Sequence, residues 1–242
     1  MNKGTLYIVP TPVGNLSDMT PRAVEVLRAV SLILAEDTRT SAPLLKYFDI
    51  HTPTVAYHKF NEHTATAAII DRLVAGQDIA LISDAGTPAV SDPGFMLTRG
   101  CRTANIDVIT LPGATAFVPA LVSSGLPCDR FTFQGFLPTK KGRRTRLEEI
   151  AASDMTTIIY ESPLRLARTL DELAMTCGDD RQASVSREIS KKFEETQRAT
   201  LRELARHYSD NPPKGEIVII VAAADKPKAG QHKNKYKDTE DL

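Results

Sequence analysis

The stretch DIALISDAGTPAVSDPG (78–94) decides how the chain folds. Its first half is almost entirely apolar, which is typical of a strand covered on both faces. Its second half mixes glycine, proline and acidic residues, and glycine lets a ligand approach the backbone closely while proline holds the loop in one shape. Outward from this stretch, short β-branched runs alternate with helical patterns as far as about residue 223, which predicts an α/β fold.

Two more predicted strands end in loops of similar composition. GTLYIVP (4–10) runs into TPVGN (11–15), and DVITL (107–111) runs into PGATA (112–116). In open α/β sheets, ligands gather where strands end, because backbone N–H groups and helix N-termini converge there. We therefore expect the three loops to form a pocket for a flat, polar molecule of moderate size.

Capping residues predict where two of the helices begin. Thr20 is a suitable N-cap and Pro21 a suitable first helical residue, so a helix is expected from there. By the same reasoning, Ser162 and Pro163 begin a later helix that Gly178 ends.

The turn-rich segment SSGLPCDR (123–130) suggests a join between two domains. The prediction is an N-terminal α/β domain over residues 1–122 and a C-terminal α/β domain over 123–224. Residues 225–242 have almost no apolar side chains and are predicted to form a disordered basic tail.

Composition limits the classes of function. The chain has 242 residues, of which 42% are hydrophobic and 25% charged, and its formal net charge is zero, so nucleic acid would have to be bound by local patches. One such patch contains five basic residues close together: Lys140, Lys141, Arg143, Arg144 and Arg146. Neither a signal peptide nor a spanning helix is recognisable at the N-terminus, so a cytoplasmic protein without a membrane partner is expected.

Standard catalytic and metal-binding motifs are missing. The three cysteines have no CxxC spacing, and His51, His58 and His63 are spaced for neither a helical face nor a usual metal pair, so no metal is predicted. No GxGxxG follows a strand, and neither GxxxxGK[ST] nor GxSxG occurs, which excludes ordinary dinucleotide sites, P-loops and nucleophile elbows.

Seven motifs in a fixed order carry a family resemblance that spans roughly residues 4–224. They are TPVGNLSDMTPRA (11–23), AEDTR (35–39), LISDAGTPAVSDPG (81–94), LPGATA (111–116), GFLP (135–138), YESPLR (160–165) and REISKKFEE (187–195). Together they resemble the tetrapyrrole-methylase superfamily. Within it, they are most similar to the ribosomal RNA small subunit methyltransferase I group.

This resemblance implies two α/β domains of the tetrapyrrole-methylase type with the cofactor cleft between them, in a protein that is normally a homodimer. It also implies an S-adenosylmethionine-dependent enzyme that methylates the ribose 2′-hydroxyl of a cytidine in the decoding region of 16S ribosomal RNA within the small ribosomal subunit. The cofactor contacts that it implies are Pro12, Gly14, Asp84, Gly86, Thr87, Val90, Gly113, Thr115, Ala116 and Tyr160.

Charged residues in AEDTR and REISKKFEE are candidates for chemistry, because an alcohol needs a base or a nearby cation to become a good nucleophile. The hypothesis is that Lys191 or a neighbouring carboxylate, such as Glu188 or Glu36, assists proton removal. Arg39 and Arg187 would then position RNA phosphate or ribose. The alternative is that these residues form salt bridges that fix a domain or dimer contact.

The patch at 140–146 is predicted to contact RNA phosphates, although it would also suit a solvated helix start opposed by Glu148 and Glu149. Two other functions stay open. One is methylation of a corrin or porphyrin precursor. The other is a non-catalytic RNA-binding or ribosome-assembly factor with the same fold.

Overall fold

The computed structural model describes residues 2–224, so the predicted disordered tail at 225–242 lies outside the described residues. Two five-stranded sheets make up this part of the chain, and helices flank both of them. The predicted α/β class is thereby confirmed. No helix within the described range combines the length and the apolar character needed to cross a bilayer.

The first sheet belongs to the N-terminal half and is entirely parallel. Its strands are β1 (Leu6–Ile8), β2 (Leu32–Ala35), β3 (Thr54–Ala56), β4 (Ile79–Ile82) and β5 (Val108–Thr110). Its helices are α1 (Pro21–Ala29), α2 (Thr38–Tyr47), α3 (Glu62–Val74) and α4 (Phe95–Thr103). In the sheet the order is β3-β2-β4-β1-β5, and every residue of β2 and β4 is buried, as their apolar sequences predict.

The helices cover this sheet on both faces. Leu27 of α1 and Leu45 of α2 pack in one apolar cluster, while Leu73 of α3 and Leu97 of α4 pack in another. The helices that follow the neighbouring strands β1 and β4 therefore lie on opposite faces of the sheet. Between two strands connected in this way a crevice forms beyond their carboxyl ends, and ligands bind there in this kind of sheet.

Local capping explains where α1 begins. The hydroxyl of Thr20 accepts a hydrogen bond from the backbone N–H of Ala23 at 3.1 Å, and Pro21 occupies the first helical position. Both features agree with the sequence prediction. The cap and the burial of Leu27 hold the loop before α1 against the sheet edge.

The second sheet belongs to the C-terminal half and is mixed. Its strands are β6 (Phe131–Phe136), β7 (Thr156–Glu161), β8 (Gln182–Arg187), β9 (Glu195–Thr200) and β10 (Ile217–Val221). The helices of this half are α5 (Phe117–Ser124), α6 (Arg143–Ala152), α7 (Leu166–Cys177) and α8 (Leu201–Asp210). The order is β6-β7-β10-β8-β9, with the wholly buried β10 at the centre and antiparallel to both neighbours.

Helices α6, α7 and α8 cover one face of the second sheet, and α5 covers the other. Ala120 and Leu121 of α5 pack against Ile158, Val218 and Ile220 of the sheet. Helix α5 spans the division predicted after residue 122. The domain boundaries at 122 and 224 stay predictions.

The predicted start of α7 at Ser162 and Pro163 is wrong by a few residues, because the helix begins at Leu166. The carboxylate of Glu161 accepts hydrogen bonds from the N–H of Ser162 at 2.7 Å and from Nε of Arg165 at 2.8 Å. The N–H of Arg165 in turn donates to the carbonyl of Ser162 at 3.0 Å. These bonds hold residues 162–165 as a turn, which places Ser162 outside the helix.

Candidate active site

A cleft of about 490 Å³ lies between the two halves, at the carboxyl ends of β1, β4 and β5. Residues of the 84–92 loop and of the 115–117 loop line one side. Residues from the ends of β6 and β7 and from the start of β10 line the other. This volume lies within the range of small-molecule and cofactor sites in proteins.

Backbone pairing joins the loops on the N-terminal side of the cleft. Thr11 and Gly86 exchange two backbone hydrogen bonds of 2.9 Å, and the Thr11 hydroxyl donates to the carbonyl of Ser83 at 3.0 Å. The Thr87 hydroxyl donates to the carbonyl of Ala114 at 3.1 Å, which ties in the third loop. The loops after β1, β4 and β5 therefore form one connected surface, as the sequence predicts.

The loop after β4 stores backbone strain. Ala89 and Ser91 both have φ of 69°, a left-handed conformation that residues with a side chain rarely adopt. Gly94 ends the loop with φ of 138°, and a Cβ there would lie 2.8 Å from Cδ2 of Leu81. Such conformations concentrate at functional sites, where the surrounding structure holds them in place.

Five acidic residues line the cleft, and we call the three on its N-terminal side, Glu36, Asp84 and Asp92, the cleft acids. Loss of solvent, followed by the charge of Glu36, raises the pKa of Asp92 to about 7. Loss of solvent also raises the pKa of Glu36 and of Asp84, and each is raised further by an acidic neighbour. Within residues 2–224 no Lys or Arg forms an ion pair with any of the three, so the cleft is prepared for a positive charge.

Aromatic side chains form the opposite wall. The ring of Tyr160 lies 5.1 Å from that of Phe133 and 5.7 Å from that of Phe136, measured between centroids. Burial raises the pKa of Tyr160 to about 12, so its hydroxyl keeps its proton at neutral pH. The bulge at Gly135 brings this wall close to the first half, since a Cβ there would lie 2.8 Å from the hydroxyl oxygen of Ser91.

An ionic network adjoins the cleft through Glu216, which lines it. Nζ of Lys191 lies 2.9 Å from Oε1 of Glu188 and 3.1 Å from Oε2 of Glu216, and Oε1 of Glu188 accepts the N–H of Glu216 at 2.9 Å. Burial alone would lower the pKa of Lys191, but these hydrogen bonds outweigh it and raise the pKa. Lys191 is therefore an ammonium at neutral pH, which disfavours proton acceptance by it and leaves the role of a nearby cation.

Seven of the ten cofactor contacts implied by the resemblance line the cleft. They are Asp84, Gly86, Thr87, Val90, Thr115, Ala116 and Tyr160. Pro12 and Gly14 instead line a neighbouring pocket, and Gly113 packs against the ring of Pro10. The binding roles of all ten stay predictions.

Sequence reasoning missed several residues that line the cleft, among them Asp92, Phe136 and Glu216. Asp92 and Phe136 belong to motifs that the resemblance had already singled out, namely LISDAGTPAVSDPG and GFLP. Glu216 carried no signal in the sequence, because only the folding of β10 brings it beside Lys191.

The other candidate catalytic and RNA-positioning residues are dispersed. Glu36 lines the cleft, whereas the side chain of Arg39 is 90% exposed and forms an ion pair with Asp37 at 2.7 Å. Arg187 lies on β8, where its guanidinium forms an ion pair with Glu195 at 3.3 Å. The structure thus brings Glu188 and Lys191 together, with Arg187 near enough for its charge to help lower the pKa of Glu188, whereas Arg39 belongs to a separate ion pair.

The basic patch at 140–146 needs one correction. Arg143 is only 7% exposed, and its guanidinium donates to Glu172, to the hydroxyl of Thr169 and to the carbonyl of Pro138. This burial removes it from the predicted RNA-contacting set. Lys140, Lys141, Arg144 and Arg146 are exposed, and the two arginines pair with Glu148 and Glu149, as the alternative interpretation expected.

The fold and the cleft define a class of protein: two α/β halves that enclose a cofactor-sized site with no metal-ligand cluster among residues 2–224. Residues 5–205 match the family model of the tetrapyrrole (corrin/porphyrin) methylases. A similar protein is the ribosomal RNA small subunit methyltransferase I of Synechocystis sp., which is 50% identical over 91% of this chain and 80% of that protein. The chain belongs to the tetrapyrrole (corrin/porphyrin) methylase family and, within it, to the ribosomal RNA small subunit methyltransferase I family.

Solved structures support the fold. A cobalt precorrin-4 methyltransferase superposes with a TM-score of 0.68 at 16% identity, covering 92% of this chain and 96% of that one. A uroporphyrin-III C-methyltransferase from Thermus thermophilus, complexed with S-adenyl homocysteine, gives a TM-score of 0.61 at 19% identity, covering 90% and 97%. At these identities the likeness concerns the fold alone.

Proposed function

We propose that the protein transfers the methyl group of S-adenosylmethionine to the ribose 2′-hydroxyl of a cytidine in the decoding region of 16S ribosomal RNA. It acts in the cytoplasm, as a homodimer, on RNA within the small ribosomal subunit. The observation that carries the proposal is the interdomain cleft with its three unpaired carboxylates. A relative that is 50% identical is named a ribosomal RNA small subunit methyltransferase I, and this name supports the choice of RNA as acceptor.

Charge complementarity supports the choice of cofactor. S-adenosylmethionine supplies an activated methyl group on a positively charged sulfur, so the protein must chiefly hold donor and acceptor in line. The cleft acids offer the negative charge that such a sulfonium needs, and their partial loss of solvent strengthens the attraction. The strained 89–94 loop and the hydrogen-bonded loops after β1 and β5 keep these groups in position.

The cleft acids can accept the proton that methyl transfer releases. As the acceptor oxygen forms a bond to the methyl carbon, the bond from that carbon to sulfur breaks and its electron pair returns to sulfur, which becomes neutral. The acids then lose their countercharge, and the pKa of Asp92 returns towards about 7. The proton released by the hydroxyl can therefore be taken up by the acids that faced the sulfonium.

The exposed basic residues favour an RNA acceptor over a tetrapyrrole. Lys140 and Lys141 lie between α6 and β6, which lines the cleft, and Arg144 and Arg146 lie near the start of α6. Contacts with RNA phosphate would position a large substrate without reading its sequence. The acidic partners Glu148 and Glu149 are themselves exposed, so phosphates can compete for the two arginines.

Transfer of labelled methyl groups tests the proposal. Purified protein, S-adenosylmethionine carrying a tritiated methyl group and small ribosomal subunits from a strain that lacks this gene are expected to give one labelled nucleotide in 16S RNA. A 2′-O-methyl group protects the adjacent phosphodiester from alkali, so the label should remain in an alkali-resistant dinucleotide that begins with cytidine. Label on a nucleobase, or transfer only to a tetrapyrrole acceptor supplied in parallel, would refute the proposed function.

A further inference from the structure

A second pocket, of about 440 Å³, adjoins the cleft and shares Asp84 with it. Its walls include Pro12 and Gly14 from the loop after β1, and Ser41, Leu44 and Tyr47 from α2. It therefore opens at the same edge of the first sheet as the cleft. Two cavities that meet at one carboxylate suit a reaction between two bound molecules.

One face of α2 is turned towards this pocket. Thr40, Leu44 and Tyr47 follow one another at intervals of four and three residues, which places them on one side of the helix. Tyr47 is 66% exposed, and its ring meets that of Phe48 edge-on at 4.9 Å, so a face of the tyrosine ring is left open. An exposed aromatic ring in a pocket is the group on which an unstacked RNA base is commonly held.

A buried hydroxyl in the pocket has no partner. Ser41 is 3% exposed, and its Oγ forms no hydrogen bond with any atom of residues 2–224. Buried polar side chains are nearly always hydrogen-bonded, because desolvation without a partner is unfavourable. A rotation about the Cα–Cβ bond would let Ser41 meet a polar ligand, so this hydroxyl points to an occupant that the chain itself does not supply.

We propose that this pocket receives the acceptor nucleotide of the RNA, with its base against Tyr47 and its ribose directed towards Asp84 and the cleft. The proposal rests on the proposed function and adds a location for the second substrate. Pro12 and Gly14, which were predicted to contact the cofactor, become part of the acceptor site instead.

The charge next to the pocket fits the phosphate of such a nucleotide. Arg39 precedes Thr40 on α2, its side chain is 90% exposed, and its Nε and one terminal nitrogen are held by Asp37. The hydrogen bonds and charge of Arg39 lower the pKa of Asp37 to about 2, so the pair persists throughout the neutral range. The remaining guanidinium nitrogen faces no acceptor within residues 2–224 and can reach a phosphate oxygen.

The test uses three variants of the full chain: Tyr47→Ala, Tyr47→Phe and the control Phe60→Ala. Phe60 is 93% exposed and lies outside both pockets, so its removal tests loss of an exposed aromatic ring in general. Methyl transfer to small subunits is measured under conditions of limiting RNA, and binding of S-adenosylhomocysteine is measured by calorimetry. Binding of a fluorescent single-stranded RNA that carries the target sequence provides a second, activity-independent readout.

Tyr47→Ala is expected to weaken RNA binding and to lower transfer at limiting RNA by about fivefold or more, the range of base–aromatic stacking, with the affinity for S-adenosylhomocysteine unchanged. Tyr47→Phe keeps the ring and should stay within about twofold of wild type, as should Phe60→Ala. The proposal would be overturned if Tyr47→Ala bound RNA and transferred methyl groups as well as the wild type does. So would an equal loss in Phe60→Ala, or a loss that falls on cofactor binding alone.

Failure of the proposed function gives a different pattern. Wild-type protein that transfers no methyl group to RNA would refute that function. The RNA-binding measurement would still decide whether this pocket holds a nucleotide, because it needs no methyl transfer. If Tyr47→Ala then bound the RNA as tightly as the wild type, the pocket would be rejected as a nucleotide site as well.

Discussion

The cleft acids differ from the carboxylates that stabilise the C-terminal half, which we call the paired acids: Glu161, Glu172 and Glu188. The cleft acids have raised pKa values and no ion pair with described Lys or Arg residues. Hydrogen bonds and ion pairs outweigh burial and lower the pKa of Glu172, and the Glu216 amide and Lys191 lower that of Glu188. The cleft acids are therefore left without a countercharge, whereas the paired acids stabilise the fold.

Asp92 on one side and Glu172 and Glu188 on the other make the free energy of unfolding depend on pH in opposite directions. Glu172 and Glu188 have lowered pKa values, so their contribution is present above the unfolded pKa and is lost as the pH falls through the folded one. Asp92 has a raised pKa, so the folded state favours its protonated form. Its contribution is therefore lost as the pH rises from the unfolded pKa to about 7.

The largest effect is expected for Glu161→Ala. The Glu161 side chain is fully buried and accepts from Ser162 at 2.7 Å, from Thr169 at 2.7 Å and from Arg165. Because its removal leaves these donors without a partner, the free energy of unfolding should fall by about 3–5 kcal/mol in urea titrations. The control Glu148→Ala breaks an exposed pair and should cost at most about 0.5 kcal/mol. A loss for Glu161→Ala as small as the control's would remove the distinction between the two sets.

The next effect concerns Asp92→Asn, which should impair function but not folding. Removal of a preorganised charge from the cleft should lower single-turnover methyl transfer by about 100-fold. The thermal midpoint should stay constant or rise, since the substitution relieves repulsion among desolvated carboxylates. Asp180→Asn, at an exposed position, should change neither quantity. A marked fall in the thermal midpoint of Asp92→Asn would show that Asp92 stabilises the fold as the paired acids do.

The smallest effect concerns how the preference for S-adenosylmethionine over S-adenosylhomocysteine changes with pH. A sulfonium favours the carboxylate form of Asp92, so the affinity for S-adenosylmethionine should rise as the pH increases through about 7. S-adenosylhomocysteine has a neutral sulfur but shares the other ionisable groups. The ratio of the two affinities should therefore increase by up to about tenfold between pH 6 and pH 8, and Asp92→Asn should abolish the change. A ratio that is independent of pH in the wild type would separate Asp92 from the sulfonium.

Part of the site follows from the sequence because local rules govern it. Glycine and proline at the ends of apolar strands predict ligand-binding loops, and the structure places Gly86, Thr87 and Thr115 together on the cleft. Other positions could not be predicted in this way. Arg143 belongs to a basic run and yet is buried, because Glu172 of the next helix reaches it. Gly14 lies in a predicted cofactor loop and yet lines the second pocket, and an added Cβ there would collide with the aliphatic part of Lys191.

The sequence by itself determined the α/β class, the strands and most helix limits, because periodicity, capping and turn chemistry act over a few neighbouring residues. It also carried the family resemblance in the order of its motifs. Only the tertiary structure decided which charges are paired and which are left without an ion-pair partner. Glu188, Lys191 and Glu216 meet through packing of β8 against β10, and Glu36, Asp84 and Asp92 meet across neighbouring strand ends. Electrostatic roles depend on distance and burial in space, and neither can be read along the chain.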